Sequence, residues 1–253
     1  MSHRPDIKPI LKQLEAICNK GYQMSQVFRD WVALMLFALI RDDDAYLKVM
    51  TGYRNKDPEG SREADYFARA MAELLRETEK GDQDVLGDLY MEIRSGWDGK
   101  GMGQYFTPWP ICDMKARMVI ADEDQGQIKT AFDPCCGSGR NLLAAAKLLH
   151  PDSHFTAIDN DLTCASMTAI NFTLFNMNAA VIYGNSIAMK FHSGWVTTHT
   201  PIGGAVRWMA GEELDGTRSL IKHRLKQEQP VGPGNEGDDP QPDPEQPQQL
   251  QLF

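Results

Sequence analysis

A short glycine-rich segment, Asp133–Gly139 with the sequence Asp-Pro-Cys-Cys-Gly-Ser-Gly, limits the possible folds of this chain more than any other part of it. It follows a strand-like run, Lys129–Phe132, and precedes a helix-like run, Asn141–Leu149. Gly137 and Gly139 lack a Cβ atom, so the chain can turn sharply there and a ligand can approach the backbone. The first turn of the following helix offers free N–H groups to an anionic group. The segment therefore predicts a strand–loop–helix unit that binds a ligand.

The residues after Gly101 alternate between strand-like and helix-like runs. Strands separated by helices favour a parallel sheet with right-handed crossovers, which predicts an α/β fold. Thr107 followed by Pro108 predicts a helix with Thr107 as N-cap and proline at its first position. The predicted strands are Lys129–Phe132, Phe155–Ile158, Ala180–Tyr183 and Trp195–His199, and the later helices are Asn141–Leu149, Leu162–Phe175 and Gly211–Lys226.

An acidic residue, Asp159, stands at the end of the second predicted strand, twenty residues after Gly139. In nucleotide-binding folds an acid at this place accepts hydrogen bonds from ribose hydroxyls. The glycine loop and Asp159 together predict a site for an adenosine-bearing cofactor.

The first part of the chain has the pattern of a helical bundle from residue 5 to about residue 96. Its predicted helices are Ser25–Ile40 with Ser25 as N-cap, Ser61–Lys80 and Asp82–Arg94. We therefore expect a helical domain over residues 1–97, an α/β domain over 98–226 and a disordered tail over 227–253. The tail has six prolines in the 24 residues from Pro230, and such a segment buries too little apolar surface to offset its ordering entropy.

The apolar runs and the cysteines indicate in which cellular compartment the protein works. The longest apolar run, Trp31–Ile40, has ten residues, about half of a membrane span, and the N-terminus lacks a leader-like segment. The five cysteines include an adjacent pair and cannot all pair with one another, which suits a reducing compartment, and no metal site is predicted. We expect a cytoplasmic protein without membrane contact.

The net charge of −9 lies mostly in the tail, whose six acidic residues from Gln227 onward leave −9 + 6 = −3 for residues 1–226. The last predicted helix is basic and is a candidate DNA contact, although a solvated helix face explains its charges equally well. Its candidate contacts are Arg218, Lys222, Arg224 and Lys226.

Four motifs over residues 84–190 carry a family resemblance: Gly103-Gln-Tyr-Phe-Thr-Pro108, the glycine loop, Asp159 and Gly184-Asn-Ser186. Together they resemble the N-6 adenine-specific DNA methylase family, which includes the modification subunits of type I restriction systems and their phage and plasmid relatives. The resemblance implies a class I S-adenosylmethionine-dependent methyltransferase core, Rossmann-like in architecture, with S-adenosyl-L-methionine as cofactor and DNA as substrate.

The resemblance also implies roles for individual residues. Tyr105, Phe106, Thr107 and Pro108 flank the methionine end of the cofactor; Asp133, Pro134, Gly137, Ser138 and Gly139 cradle it; Asp159 holds the ribose and Asn185 lies near the adenine. Many relatives have aspartate in the place of Asn185, so the amide is a departure from the family pattern.

The family's catalytic tetrapeptide, Asn/Asp-Pro-Pro-aromatic at the end of the fourth strand, is absent from the chain. In its expected place stands Thr198-His-Thr-Pro-Ile202, which makes His199, Thr200 and Pro201 weak catalytic candidates. Four strands are predicted where the full fold has seven, so we expect a truncated core. Three interpretations stay open: a cofactor-binding family member with doubtful activity alone, an active enzyme with a divergent site or a completing second subunit, and a non-catalytic module that binds DNA or a restriction complex.

The last five residues, Gln249-Leu-Gln-Leu-Phe253, resemble the peptide by which many bacterial replication and repair proteins bind the sliding clamp. The resemblance implies a partner peptide with Gln249, Leu250, Leu252 and Phe253 as contacts, carried on a flexible linker. An accidental apolar end is the alternative.

Overall fold

The computed structural model describes residues 5–81, 83–97, 105–227 and 249–251. The N-terminal part of these residues is helical, and its helices pack together around apolar faces. The helices are α1 (Lys8–Cys18), α2 (Met24–Ile40), α3 (Asp43–Met50), α4 (Glu63–Glu79) and α5 (Val85–Trp97).

Helix α2 is the centre of this helical layer, because it is apolar on most of its circumference. Phe28, Trp31 and Leu34 are almost completely buried, and the Trp31 indole N–H donates to the carbonyl oxygen of Phe67 in α4 at 3.2 Å. The predicted helices are confirmed here, but Ser25 is not the N-cap: Gln23 is, and Ser25 lies inside the helix.

The remaining elements form an α/β unit around one sheet, which confirms the predicted fold class. Its strands are β1 (Thr130–Asp133), β2 (His154–Asp159), β3 (Asn178–Asn185), β4 (Lys190–Thr198), β5 (Ala205–Trp208) and β6 (Gln249–Gln251), and its helices are α6 (Trp109–Val119), α7 (Arg140–Ala146), α8 (Leu162–Leu174) and α9 (Gly211–Gln227).

The strand order is β5-β4-β3-β2-β1-β6, with β6, β1, β2 and β3 mutually parallel. The predicted parallel sheet covers only part of the observed one, since β4 pairs with β3 in antiparallel fashion and β5 with β4 likewise. The reason is chain length. Four residues join Asn185 to Lys190, whereas a parallel crossover needs about a dozen or more.

Helices cover both faces of the sheet. On one face lie α7 and α8, and α2 and α5 of the helical layer pack against α8, so the helical layer and this face of the sheet share one hydrophobic core. On the other face, Ile221 and Leu214 of α9 pack over Phe132, Ile158 and Phe191. No helix among the described residues is long and apolar enough to span a membrane.

Helix α6 begins later than the sequence predicts. Pro108 has extended backbone (φ −56°, ψ 141°) and is the N-cap, so Trp109 is the first helical residue, and Thr107 is not the cap. The Thr107 carbonyl oxygen instead accepts a hydrogen bond from Nη1 of Arg140 at 3.4 Å. The start of α6 is thus tied to the start of α7.

Three residues of the tail form a strand. Gln249–Gln251 pair with β1 in parallel, with Thr130 opposite Gln249 and Phe132 opposite Gln251. The predicted disordered linker, residues 228–248, and the peptide anchors Leu252 and Phe253 lie outside the described residues.

Candidate functional site

A cavity of about 370 Å³ lies at the carboxyl ends of the parallel strands β1, β2 and β3. Its volume falls in the range of about 300–1,000 Å³ that is usual for small-molecule sites, and the edge of the sheet at which it lies is where open α/β sheets bind ligands. It is lined by Tyr105, Phe106, Pro134, Cys135, Gly137, Asp159, Asn160, Cys164, Asn185, Ser186 and Ile187.

Six residues that the sequence singles out therefore meet at one cavity: Tyr105, Phe106, Pro134, Gly137, Asp159 and Asn185. Thr107 and Ser138 line a small adjoining cavity of about 80 Å³, together with Tyr105, Phe106 and Gly137. The structure does not bring Pro108, Asp133 or Gly139 to the wall of either cavity.

The two glycines of the loop have backbone conformations that only glycine adopts readily. Gly137 has φ +58° and Gly139 has φ +87°. A Cβ atom on Gly137 would lie 2.9 Å from the Phe106 ring, and one on Gly139 would lie 2.8 Å from the Phe172 ring. Side chains at these positions are therefore excluded both by the backbone and by the packing around it.

Asp159 holds the loop from the neighbouring strand. Its Oδ2 accepts a hydrogen bond from the backbone N–H of Gly137 at 2.8 Å, and its Oδ1 accepts one from the N–H of Asp161, also at 2.8 Å. Burial raises the pKa of Asp159 above its ordinary value, against the lowering effect of these hydrogen bonds. Each carboxylate oxygen has a further lone pair, so both can accept from a ligand hydroxyl as well.

Asp133 supports the loop from below. It is 1% exposed, and its carboxylate accepts hydrogen bonds from the N–H of Cys135 at 2.9 Å and from the side-chain amide of Asn141 at 3.3 Å. Burial raises the pKa of Asp133. Its observed contacts fix the first turn of the loop.

The rim of the cavity is apolar and exposed. Tyr105 is 82% exposed and Ile187, in the turn between β3 and β4, is 94% exposed. Asn185 shapes that turn, because its side-chain oxygen accepts the N–H of Ala188 at 2.8 Å. Two large side chains, Tyr105 and Ile187, thus flank the opening of a cavity that is also lined by the Asp159 carboxylate.

A buried polar cluster beneath the loop was missed by the sequence reasoning. Asp84, at the start of α5, contacts Ser138, Arg140 and Asn171, and all four are at most 6% exposed. An acidic residue just before a helix is usually a solvent-exposed N-cap. The sequence pattern around Asp84 therefore does not indicate a buried carboxylate beneath the loop. The glycine three residues after Asp84, Gly87, is the signal that could have revealed it.

The catalytic candidates His199, Thr200 and Pro201 are not brought to the cavity. His199 donates its backbone N–H to Asn178 at the start of β3, and its Nδ1 lies 3.0 Å from the carbonyl oxygen of Asn176. The cavity is lined by Asn185 at the other end of β3, seven residues away and so roughly 20 Å or more along the strand. Because β4 is antiparallel, its last residues lie at the far end of the sheet.

The candidate DNA contacts lie on α9. Arg218 is half-buried, pairs with Asp215 at 3.0 Å and stacks over the Phe191 ring at 5.4 Å, so it is partly engaged within the protein. Lys222 is exposed, and the side chains of Arg224 and Lys226 lie outside the described residues.

Comparison with known proteins identifies a family and similar proteins. Residues 81–201 match the N-6 DNA methylase family. The chain is 37% identical over 78 residues to the type I restriction enzyme MpnII methylase subunit of Mycoplasma pneumoniae, a match that covers 30% of this chain and 14% of that protein. A solved structure, the type I restriction-modification methyltransferase subunit of Streptococcus thermophilus, is similar with a TM-score of 0.38 and 16% identity, covering 70% of this chain and 38% of that one.

The chain thus spans little more than a third of the solved relative and a smaller share of the curated one. The matched segment runs from just before α5, through the glycine loop and Asp159, to the end of β4, and so includes the whole described lining of the cavity. Through residues 81–201, this chain belongs to the N-6 DNA methylase family.

Proposed function

We propose that the chain binds S-adenosyl-L-methionine in the cavity at the carboxyl ends of β1–β3 and serves adenine-N6 methylation of DNA. The observation that carries the proposal is the meeting of the glycine loop, Asp159 and the Tyr105–Phe106 segment around one cavity of about 370 Å³. Family membership supports it, since a methylase requires a methyl donor.

The residues present fit such a cofactor. Its ribose hydroxyls need an acceptor, and Asp159 offers two oxygens that each keep acceptor capacity. Its adenine and methionine parts need apolar walls, which Phe106 and Ile187 provide. The missing Cβ of Gly137 lets the Phe106 ring pack directly against the loop beside the cavity.

When bound, the cofactor supplies an electrophilic methyl group on a positively charged sulfur. The part of this chain in the reaction is to bind and orient. Asp159 binds the ribose, and the hydrogen bond that Asp159 accepts from Gly137 holds the glycine loop next to the ribose. The exposed Tyr105 lies at the opening of the cavity, where it would contact a substrate that approaches the methyl group of the cofactor.

The sequence departs from the family pattern at the tetrapeptide that holds the target amino group. No Asn/Asp-Pro-Pro-aromatic tetrapeptide occurs in the sequence, and His199, Thr200 and Pro201 lie at the opposite end of the sheet from the cavity. We therefore propose that the isolated chain transfers methyl groups weakly or not at all. A second subunit supplies the amino-binding residues in an active complex.

The absence of the tetrapeptide from the sequence also favours a second candidate function. In this alternative the chain is a non-catalytic module that binds the cofactor and contacts DNA or a restriction complex. The two candidates differ in one outcome. With radiolabelled cofactor and unmethylated duplex DNA, label enters the DNA when a completing subunit is added if the chain is part of an enzyme. It never does so if the chain is only a binding module.

Recruitment by the sliding clamp is a further part of the proposal, and it rests on the resemblance of residues 249–253 to a clamp-binding peptide. In the structure Gln249–Gln251 pair with β1. A backbone that is hydrogen-bonded in a sheet cannot at the same time lie in a groove on another protein. Clamp binding therefore requires release of β6 from the sheet edge.

Titration calorimetry with S-adenosylmethionine tests the central part of the proposal. We expect a saturable heat with the purified chain. Absence of binding to a folded protein would contradict the cofactor assignment and, with it, the proposed function.

A further inference from the structure

We infer that Asp84, which lies outside the cavity, is a positioning residue that holds the glycine loop in its ligand-accepting shape, so that helix α5 is a necessary part of the site. The identity of the ligand rests on the proposed function. The positioning of the loop by Asp84 rests on contacts within the protein.

Donors from four parts of the described chain converge on the Asp84 carboxylate. Oδ1 accepts from the backbone N–H of Gly87 and from the side-chain amide of Asn171, each at 2.7 Å. Oδ2 accepts from Nε of Arg140 at 2.7 Å and from the hydroxyl of Ser138. One buried side chain thus joins α5 to the glycine loop, to α7 and to α8.

Ser138 is the residue through which this cluster reaches the loop. It stands between Gly137 and Gly139, the two residues with positive φ. Its hydroxyl donates to Asp84, and its carbonyl oxygen accepts from the side-chain amide of Asn171 at 2.8 Å. Glycines on both sides give the loop many accessible conformations, so the outside contacts of Ser138 select one of them.

The charge of Asp84 is compensated inside the protein. The Arg140 side chain is 7% exposed and that of Asp84 is fully buried, and Arg140 also pairs with Asp88 one turn further along α5. A buried guanidinium needs its hydrogen bonds filled by carboxylates in fixed positions. Arg140 is the first residue of α7, so the pair also fixes the helix whose N-terminus follows the loop.

The sequence of α5 makes room for this carboxylate. A Cβ atom on Gly87 would lie 1.9 Å from Oδ2 of Asp84 and 2.5 Å from the hydroxyl oxygen of Ser138. The glycine three residues after Asp84 therefore leaves the space in which the cluster sits. Its φ is ordinary for a helix, so backbone freedom does not explain its presence.

The other face of the loop also depends on α5. The Tyr90 ring stacks on the Phe106 ring at 5.1 Å with an interplanar angle of 18°, and the N–H of Phe106 lies 3.5 Å from the sulfur of Met91. Phe106 fills the space that a Cβ of Gly137 would need. Helix α5 thus positions both the loop and the aromatic wall opposite it.

Three variants test the inference: Asp84→Asn, Ser138→Ala and, as a matched control, Glu63→Gln. Glu63 is a buried carboxylate of the helical layer, 1% exposed, which accepts hydrogen bonds from Asn55 and Tyr22 and none from the loop. All measurements are made at a temperature at which circular dichroism shows every variant to be folded.

The first readout needs no ligand. In protein labelled with 15N-glycine, we expect the amide resonances of Gly137 and Gly139 to shift or broaden in Asp84→Asn and in Ser138→Ala, and to stay in place in Glu63→Gln. The second readout is S-adenosylmethionine affinity, which we expect to fall on the order of tenfold or more in the first two variants, because small displacements of a binding group have large effects. The control should bind as the unaltered protein does.

If the loop resonances and the affinity are unchanged while only the melting temperature falls, Asp84 has a structural role alone and the inference is wrong. If the unaltered protein binds no S-adenosylmethionine, the proposed function fails, and the resonances of Gly137 and Gly139 still decide whether Asp84 positions the loop. Should Asp84→Asn not fold, Ser138→Ala carries both readouts, since it removes only the hydroxyl.

Discussion

The backbone N–H of Gly137 donates a hydrogen bond to Oδ2 of Asp159 at 2.8 Å, which joins the glycine loop after β1 to the acid at the end of β2. The bond joins a glycine of the loop to Asp159, the one carboxylate among the described residues that line the cavity. In the proposed site, loop conformation and ribose binding are therefore coupled through the Asp159 side chain, and a substitution at Gly137 or Asp159 should affect the other residue.

We expect the ionisation of Asp159 to make the affinity for S-adenosylmethionine depend on pH. Burial raises the pKa of Asp159 above the ordinary 3.8, and only the carboxylate accepts from two backbone N–H groups and from ribose hydroxyls together. Affinity should therefore fall as pH falls, starting at a higher pH than for an exposed aspartate. The stability of the free protein depends on pH in the opposite direction. Because the pKa of Asp159 is raised in the folded state, the stability that its protonated form contributes is lost as pH rises.

Calorimetry between pH 4 and pH 8, run alongside thermal unfolding without ligand, measures both effects. Asp159→Asn should lower the affinity and flatten its pH dependence. Asp152→Asn, a change at an exposed acid whose side chain is 60% accessible, should change neither. An affinity that is independent of pH in the unaltered protein would show that Asp159 does not contact the ligand.

Cys135 should report occupancy of the cavity. Among the five cysteines, all within the described residues, Cys135 is the exposed one, and it lines the cavity. Burial of its thiol raises its pKa, so alkylation at neutral pH is slow enough to follow by mass spectrometry. At a ligand concentration ten times the dissociation constant, labelling of Cys135 should slow by roughly tenfold.

Half-buried Cys18, in the helical layer, is the internal control for that experiment. Burial raises its pKa to about 11, and it does not line the cavity, so its labelling rate should not respond to the ligand. Equal rates at Cys135 with and without saturating ligand would place the ligand elsewhere.

Methyl transfer should be independent of His199. Because β4 runs antiparallel to β3, His199 lies at the far end of the sheet and cannot reach the cavity. Any residual labelling of duplex DNA by the isolated chain should survive His199→Ala and be abolished by Asp159→Ala. Robust turnover that is lost in His199→Ala with cofactor affinity intact would instead support the divergent-site interpretation.

Removal of residues 249–253 should separate partner binding from folding. The strand β6 adds three residues to the edge of the sheet, so we expect its loss to lower stability by about 1 kcal/mol, or about 2–4 °C in melting temperature for a chain of this size. Cofactor affinity should be unchanged.

Clamp retention in a pull-down should be lost with that deletion and weakened by about 1–4 kcal/mol in Leu252→Ala or Phe253→Ala. Glu245→Ala, in the linker, is the control and should have little effect. Equal clamp retention of the intact and shortened proteins would mean that the resemblance of the peptide is accidental.

The meeting of the glycine loop and Asp159 at one cavity was predictable because its signals are local. Two glycines that need special backbone angles stand directly between a strand and a helix, and parallel pairing of β1 with β2 brings Asp159 to the same edge of the sheet. Sequence spacing and sheet topology together then determine that the two features meet.

What the sequence did not reveal depends on distant contacts. The link between Asp84 and Ser138 joins residues 54 positions apart, and no periodic pattern encodes such a pair. The direction of β4 was not predicted, because the sequence analysis began the strand at Trp195, whereas β4 begins at Lys190. A strand that begins at Lys190 leaves only four residues after Asn185, and so short a connection predicts an antiparallel hairpin.

The most direct test of the account compares Gly137→Ala with Gly126→Ala by titration with S-adenosylmethionine. Both glycines have positive φ, +58° and +74°, so both changes carry a similar backbone penalty of about 1–2 kcal/mol. A Cβ on Gly126 meets nothing within 4 Å, whereas one on Gly137 meets Phe106 at 2.9 Å beside the cavity. We predict that Gly126→Ala binds like the unaltered protein and that Gly137→Ala loses binding. Equal affinities of the two folded variants would contradict the proposed site.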